Sequence, residues 1–290
     1  LSYDTVDFGM FPLLALVLTT LLAATYETAR AEFEQGRYEA ALAALESLSP
    51  EAGGAAAQNL KALALAQLRR YNEAIEAIAR ARRLDGNNLS YAYNAGLILY
   101  DAGRLEESSR VFEDALRRFG PSAPLLAGLG EVQFRSNRFA GAERSLQQAL
   151  ALEPRNLAAR IVLARLFRAT GQAERFEAAA REALAIDARN PQACYYYGLA
   201  RLDAGDRPAA VEYIRRSLDL QPGFAEALKS WGQLLGEDGK WGDALRAYEQ
   251  AAHVDADDAE TLYLLATAYR KTGQADKAAQ ALARYRERKR

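Results

Sequence analysis

The sequence predicts an all-α fold in which short antiparallel helix pairs follow one another in tandem. Three residue columns, each recurring every thirty-four positions, predict it. The first column is only Gly or Ala: Ala29, Ala62, Gly96, Gly130, Ala164, Gly198, Gly232 and Ala266. The second is built of turn formers: Gly36, Gly103, Asn137, Gly171, Gly205, Gly239 and Gly273, with Arg69 the exception. The third is small again: Ala41, Ala74, Ser108, Ala142, Ala210, Ala244 and Ala278, with Phe176 the exception. Small residues let two helices cross closely, and a residue that tolerates positive φ ends the first helix of each pair. The step is thirty-four everywhere except the first, which is thirty-three. A fixed period of this size, carried by three columns at once, is the signature of a repeat array.

The clearest repeat runs from Ala225 to Asp258. Its first helix is apolar at Leu228, Trp231, Leu234 and Leu235, and its second at Trp241, Ala244, Leu245 and Tyr248. Each pair leaves apolar surface on both flanks, so it needs neighbours like itself. Repeats are expected near 22–54, 55–88, 89–122, 123–156, 157–190, 191–224, 225–258 and 259–290. Pro154 and Pro222 close two of them, and Pro208 stands at a helix start, where a missing N–H costs nothing. Two repeats depart from the pattern. In the fifth, Phe176 fills the small column while Ala173 and Ala180 stand where neighbours carry Phe139 and Leu146; large and small have traded places. In the first, Ser49-Pro50 cuts the second helix short and Glu51-Ala52-Gly53-Gly54 reads as a flexible joint.

A thirty-four-residue helix–turn–helix unit with Gly or Ala at the crossing, and an aromatic such as Tyr38, Tyr71, Phe139 or Trp241 early in its second helix, resembles the tetratricopeptide (TPR) repeat. The resemblance covers about Leu22 to Arg290, eight repeats. It implies a right-handed superhelical solenoid whose first helices line a concave groove, and a non-catalytic scaffold that takes a peptide or partner protein there.

Helical spacing then picks the groove residues, on the face of each first helix opposite its second helix. Those expected to bind a partner are Tyr93, Leu97, Tyr100, Asp101, Phe134, Arg135, Arg165, Arg168, Tyr195 and Leu199. Tyr and Arg are over-used there, as they are at binding surfaces. The plainer reading is that some of these aromatics only pack between repeats. The residue set by which chaperone-binding members of the family grip a C-terminal carboxylate is represented only by Asn94, and a ladder of groove asparagines is likewise missing, with Asn94 alone. Accessory proteins of envelope polysaccharide export also use such arrays; in that alternative the aromatic groove stacks sugars. Self-association through the end of the eighth repeat is a third expectation.

Composition excludes much else. Net charge is −1, so no global field draws the chain to nucleic acid, and none is expected as a partner. One Cys, Cys194, on an apolar helix face reads as a buried small hydrophobe, and the one His, His253, as a solvent-facing residue near a helix end. No phosphate-binding glycine loop and no metal-ligand cluster is visible, so no cofactor, no metal and no catalytic residue is expected. The basic run from Arg284 to Arg290 reads as a solvated helix terminus.

The segment Phe11–Ala24, FPLLALVLTTLLAA, is uncharged. Its length falls short of a bilayer span of about 20 residues but suits the core of a signal peptide. Residues 1–24 are therefore expected to be a signal peptide or short membrane anchor ahead of an array at 25–290, placing the protein in a bacterial periplasm or outside the cell, with membrane attachment through 11–24 if the segment is not removed.

Overall fold

A computed structural model describes residues 25–46 and 54–288. The apolar segment at 11–24 and most of the Ser49–Gly54 joint lie outside the described residues. Every described element is a helix or a turn. The first compact block, which ends at Glu153, holds α1 (residues 25–34), α2 (Tyr38–Glu46), α3 (Gly54–Gln67), α4 (Tyr71–Leu84), α5 (Leu89–Asp101), α6 (Leu105–Phe119), α7 (Ala123–Arg135) and α8 (Phe139–Leu152). The second block begins at Pro154 and holds α9 (Leu157–Ala169), α10 (Ala173–Ile186), α11 (Pro191–Asp203), α12 (Arg207–Leu220), α13 (Ala225–Glu237), α14 (Trp241–Val254), α15 (Ala259–Lys271) and α16 (Ala275–Arg288).

Within each block the packing is that of tandem helix pairs. In the first, α3 packs on α4, α5 on α6 and α7 on α8, while each first helix also meets the next, α3 with α5 and α5 with α7. In the second, the pairs are α9 with α10, α11 with α12, α13 with α14 and α15 with α16; α9 meets α11 and α13 meets α15. Each hydrophobic cluster is shared by successive repeats. Phe112 of α6, for instance, is sealed among Ala92 of α5 and Leu125, Leu129 and Val132 of α7.

The three sequence columns have direct physical counterparts. All eight crossing residues are buried. At Gly96 the Phe112 ring occupies the space of a side chain, so that a β-carbon would lie 2.6 Å from its Cε2. Ser108 takes the small position of the same pair and donates to the Gly96 carbonyl at 2.7 Å. All eight turn residues have positive φ, including Arg69 at 58° and Asn137 at 57°. The turns share one closure. The Arg104 N–H donates to the Leu99 carbonyl and the Gly103 N–H to the Tyr100 carbonyl, satisfying carbonyls that a helix end leaves open.

A fourth column caps the first helices. The side chains of Asn88, Asn156, Asn190 and Asp258 each accept from a backbone N–H two or three residues on, opening α5, α9, α11 and α15. Ser122 and Phe224 occupy the same column at α7 and α13 without such a bond.

The fifth repeat corrects one expectation. Phe176 is 2% exposed and Ala180 fully buried, so those two positions have exchanged volume. Ala173, however, is exposed; the nearby aromatic Phe167 is covered instead by the Arg175 guanidinium, 3.9 Å above its ring. The C-terminal helix differs too. Arg284 of α16 donates to the Ala256 carbonyl at 2.7 Å and pairs, like Arg288, with Asp257, so part of the basic run is tied to the preceding loop.

Candidate binding groove

In the first block the face of α5 and α7 brings together six of the residues expected to bind. Tyr93 is half-buried and meets the Phe112 ring edge-on at 6.0 Å. Burial pushes its hydroxyl above the ordinary tyrosine value, so it stays protonated and able to donate. Leu97 and Tyr100 are half-buried in the same cluster. The Tyr100 hydroxyl donates to Glu131 Oε1, and the Arg135 guanidinium lies 4.8 Å from the Tyr100 ring centroid, in cation–π range. Arg135 also reaches the Tyr100 carbonyl at 3.4 Å. Asp101 touches solvent at the end of α5; crowding by the surrounding protein raises its carboxyl above the usual range, against the opposing pull of Arg135. Phe134 meets Phe139 at 6.0 Å. This face therefore offers apolar and aromatic footholds beside one exposed carboxylate and one exposed guanidinium.

Asn94 is not alone. Its amide donates to Asn59 Oδ1 of α3 at 2.8 Å, an inter-repeat contact that spacing did not reveal, because Asn59 is thirty-five positions away rather than thirty-four.

In the second block the expected residues separate. Arg165 is half-buried on α9, and Arg168 is exposed, its Nε 3.5 Å from Asp203 Oδ2. Tyr195 and Leu199 are corrected by the structure: they are 6% and 2% exposed and pack rather than face a ligand. The Tyr195 ring meets Tyr196 at 5.1 Å and Phe224 at 5.2 Å, and its hydroxyl bonds Ser230 Oγ at 3.1 Å. The neighbour ahead of the next first helix decides this. Tyr93 and Tyr195 share a column, but the small Ser122 precedes α7 whereas Phe224 precedes α13 and closes over Tyr195.

Further along the second block, Lys229 of α13 is held by Glu260 at 2.6 Å and Asp258 at 3.1 Å. Burial opposes its charge, but these two partners outweigh it and keep its pKa above the ordinary lysine value. Its charge is spent inside the fold. Between α13, α14 and α15 lies a cavity lined by Gln233, Glu237, Tyr263 and Thr267, which helical spacing puts on the groove faces of α13 and α15, together with Trp241, Tyr248, Gly236 and Leu264. Cys194 is fully buried with its thiol pushed up by that burial, and His253 is exposed. Among the described residues no group of His, Cys, Asp and Glu is arranged to hold a metal, and no helix is long and apolar enough to cross a membrane.

Known proteins agree with this architecture. Two family profiles, both described as Tetratricopeptide repeat, match: one at residues 26–88, 59–124 and 93–143, the other at 133–194 and 237–290. Among curated relatives, the CTR9 homolog of Arabidopsis thaliana is 26% identical over 220 residues, which is 72% of this chain and 20% of that protein. Superkiller protein 3 of Schizosaccharomyces pombe is 24% identical over 177 residues, 59% of this chain and 13% of its own length. The chain thus spans a fifth or less of the length of these relatives. Among solved structures, the Cut9–Hcn1 hetero-tetramer of the APC/C superposes with a TM-score of 0.68 at 19% identity, over 87% of this chain and 49% of that one. The human IFIT1 dimer with PPP-AAAA gives 0.60 at 16% identity, over 87% and 69%. The pilF protein of Pseudomonas aeruginosa gives 0.56 at 21%, over 67% and 88%. At these identities the likeness is one of fold. With the profiles matching most of the sequence and the columns realised as crossings and turns, the chain belongs to the tetratricopeptide-repeat family, whose fold is a scaffold for protein–protein interaction.

Proposed function

We propose that the chain is a non-catalytic scaffold that holds a peptide or a segment of a partner protein along the face of α5 and α7. The observation that carries the reading is the cluster on that face: Tyr93, Leu97, Tyr100 and Phe134 leave apolar area open beside Asp101 and Arg135. Aromatic anchors rimmed by a few charges are what hot-spot surfaces use. Arg135, stacked on Tyr100, is already positioned to take a carboxylate, so a segment with an acidic group near an apolar side chain fits this face. Export to a periplasm or beyond is the setting that the uncharged segment at 11–24 favours; the mass of the mature N-terminus tests it, since a chain that keeps those residues was not cleaved.

The test of the binding reading is a peptide-display selection against the purified chain, repeated with Arg135→Glu and Asp101→Lys. Both residues are exposed, so neither change disturbs the core. Selected peptides should be rich in acidic and apolar residues and should lose most of their affinity for Arg135→Glu. Peptides that bind both variants as tightly as the unaltered chain would place the partner surface elsewhere.

A further inference from the structure

The cavity between α13, α14 and α15 differs in its lining from the face of α5 and α7. Its volume of about 510 Å³ lies in the range of small-molecule sites. Two aromatic side chains line it: Trp241, which starts α14, and Tyr263 of α15, which is 51% exposed. A third ring, Tyr248, is 2% exposed and wedged against the Gly232 backbone. Its hydroxyl nevertheless makes no hydrogen bond to any described residue, although Tyr248 lines the cavity. Burial first, and the carboxylates of Glu237 and Glu260 next, push that hydroxyl up to about 12, so it remains a donor at neutral pH. Gln233 and Glu237 of α13 and the Thr267 hydroxyl of α15 complete the polar part.

The carboxylate that lines the cavity, Glu237, is paired with Arg207, so a cationic ligand gains little there; the Lys271 ammonium sits 5.5 Å from the Trp241 ring. Glu237 already has Arg207 and the Thr267 hydroxyl already donates to the Tyr263 carbonyl at 3.1 Å, but a purely apolar side chain would leave the Gln233 amide and the Tyr248 hydroxyl without partners as water is displaced, and each such loss is costly. A ligand suited to all of these has an apolar C–H face for the aromatic rings and several hydroxyls that both donate and accept.

We propose that this cavity is a saccharide-binding subsite that takes a neutral pyranose unit of an oligosaccharide. The proposal goes beyond the peptide-binding reading and occupies different residues, so either stands if the other fails.

Trp231 and Trp241 are the only tryptophans, so Trp231→Phe leaves Trp241 as the single indole reporter beside the cavity. The probes are neutral oligosaccharides, namely cellohexaose, chitohexaose, maltohexaose and xylohexaose, with a random peptide pool in parallel. Isothermal titration of the unaltered chain provides the same reading independently of that substitution. At least one saccharide should shift Trp241 emission saturably and give a matching titration. Tyr263→Ala should weaken that binding at least about tenfold. Tyr248→Phe, which keeps the ring against Gly232 and removes only the hydroxyl, should weaken it severalfold at unchanged melting temperature. The proposal is overturned if no saccharide in the panel binds, if Tyr263→Ala and Tyr248→Phe bind as the unaltered chain does, or if only the peptide pool moves the Trp241 signal.

Discussion

The Gly232 backbone lies flat against the Tyr248 ring: a β-carbon at Gly232 would sit 2.8 Å from both Cδ1 and Cζ of that ring. This one contact sets the approach of α13 to α14, and through Tyr248 it also sets one wall of the cavity between α13 and α15. Gly232→Ala is already too large for the space. The ring is held by surrounding buried side chains, Leu235, Ala244 and Leu265 among them, so it cannot simply swing away. The substitution should destabilise the chain by about 1–3 kcal/mol, the usual cost of overpacking. Urea denaturation measures it, and peptide binding on the face of α5 and α7 should be nearly unaffected.

Phe176 offers the opposite experiment. It fills the volume that small residues leave elsewhere, and its partner Ala180 is already minimal. Phe176→Ala should cost about 3–5 kcal/mol because nothing nearby can collapse into the space. Adding Ala180→Leu, the arrangement found at Ala142 and Leu146 in the preceding repeat, should restore part of the loss. An unchanged denaturation midpoint for Phe176→Ala would show that the side chain is not a structural plug.

How much of this was legible in the sequence follows from what the columns encode. Crossing and turn positions depend on backbone geometry within one repeat, so Gly232 or Asn137 announces its role by recurrence alone. Burial of a groove residue depends on the next repeat. Tyr93 and Tyr195 look equivalent by spacing, yet Phe224 covers one and Ser122 leaves the other half-open. The Asn59–Asn94 bond was hidden for a similar reason, since the two residues are out of step with the period. Spacing puts Gln233, Glu237, Tyr263 and Thr267 on groove faces, but it hides the part that Trp241 and Tyr248 play in the cavity, because both occupy core columns and period says nothing about which edge of a core ring reaches solvent.

Asp258 links the cap of α15 to Lys229 of α13 and should make stability acid-sensitive. Burial works against its charge, but the hydrogen bonds from Thr261 and the contact with Lys229 prevail and hold its carboxyl below the usual value. A carboxyl lowered in the folded state contributes stability above its unfolded pKa, and that contribution is lost as pH falls through the folded pKa. The urea midpoint should therefore decline below pH about 4. Asp258→Asn keeps the cap but has no charge, so it should flatten this acid slope by giving up at neutral pH the stability that the carboxylate supplied, whereas Asp258→Ala should cost about 1 kcal/mol more there through the lost cap.

Tyr248 governs the alkaline side. Its hydroxyl is pushed up to about 12 in the fold, while in the unfolded chain a tyrosine releases its proton near 10. Between those values the unfolded state gives up a proton that the folded state keeps, so stability falls as pH rises. Denaturation midpoints from pH about 9 to 12 should show this decline. Tyr248→Phe, which has no proton to lose, should show a shallower one, and an identical slope would mean that other groups carry it.

The most direct measurement of the central claim is hydroxyl-radical footprinting of the chain with a display-selected peptide bound. Tyr93, Leu97, Tyr100 and Phe134 are half-buried and still reachable in the free protein. The account predicts that labelling at these four falls on binding while Tyr26 of α1, also half-buried but outside the proposed face, is labelled as before. Saturated binding with undiminished labelling of Tyr93, Tyr100 and Phe134 would contradict it.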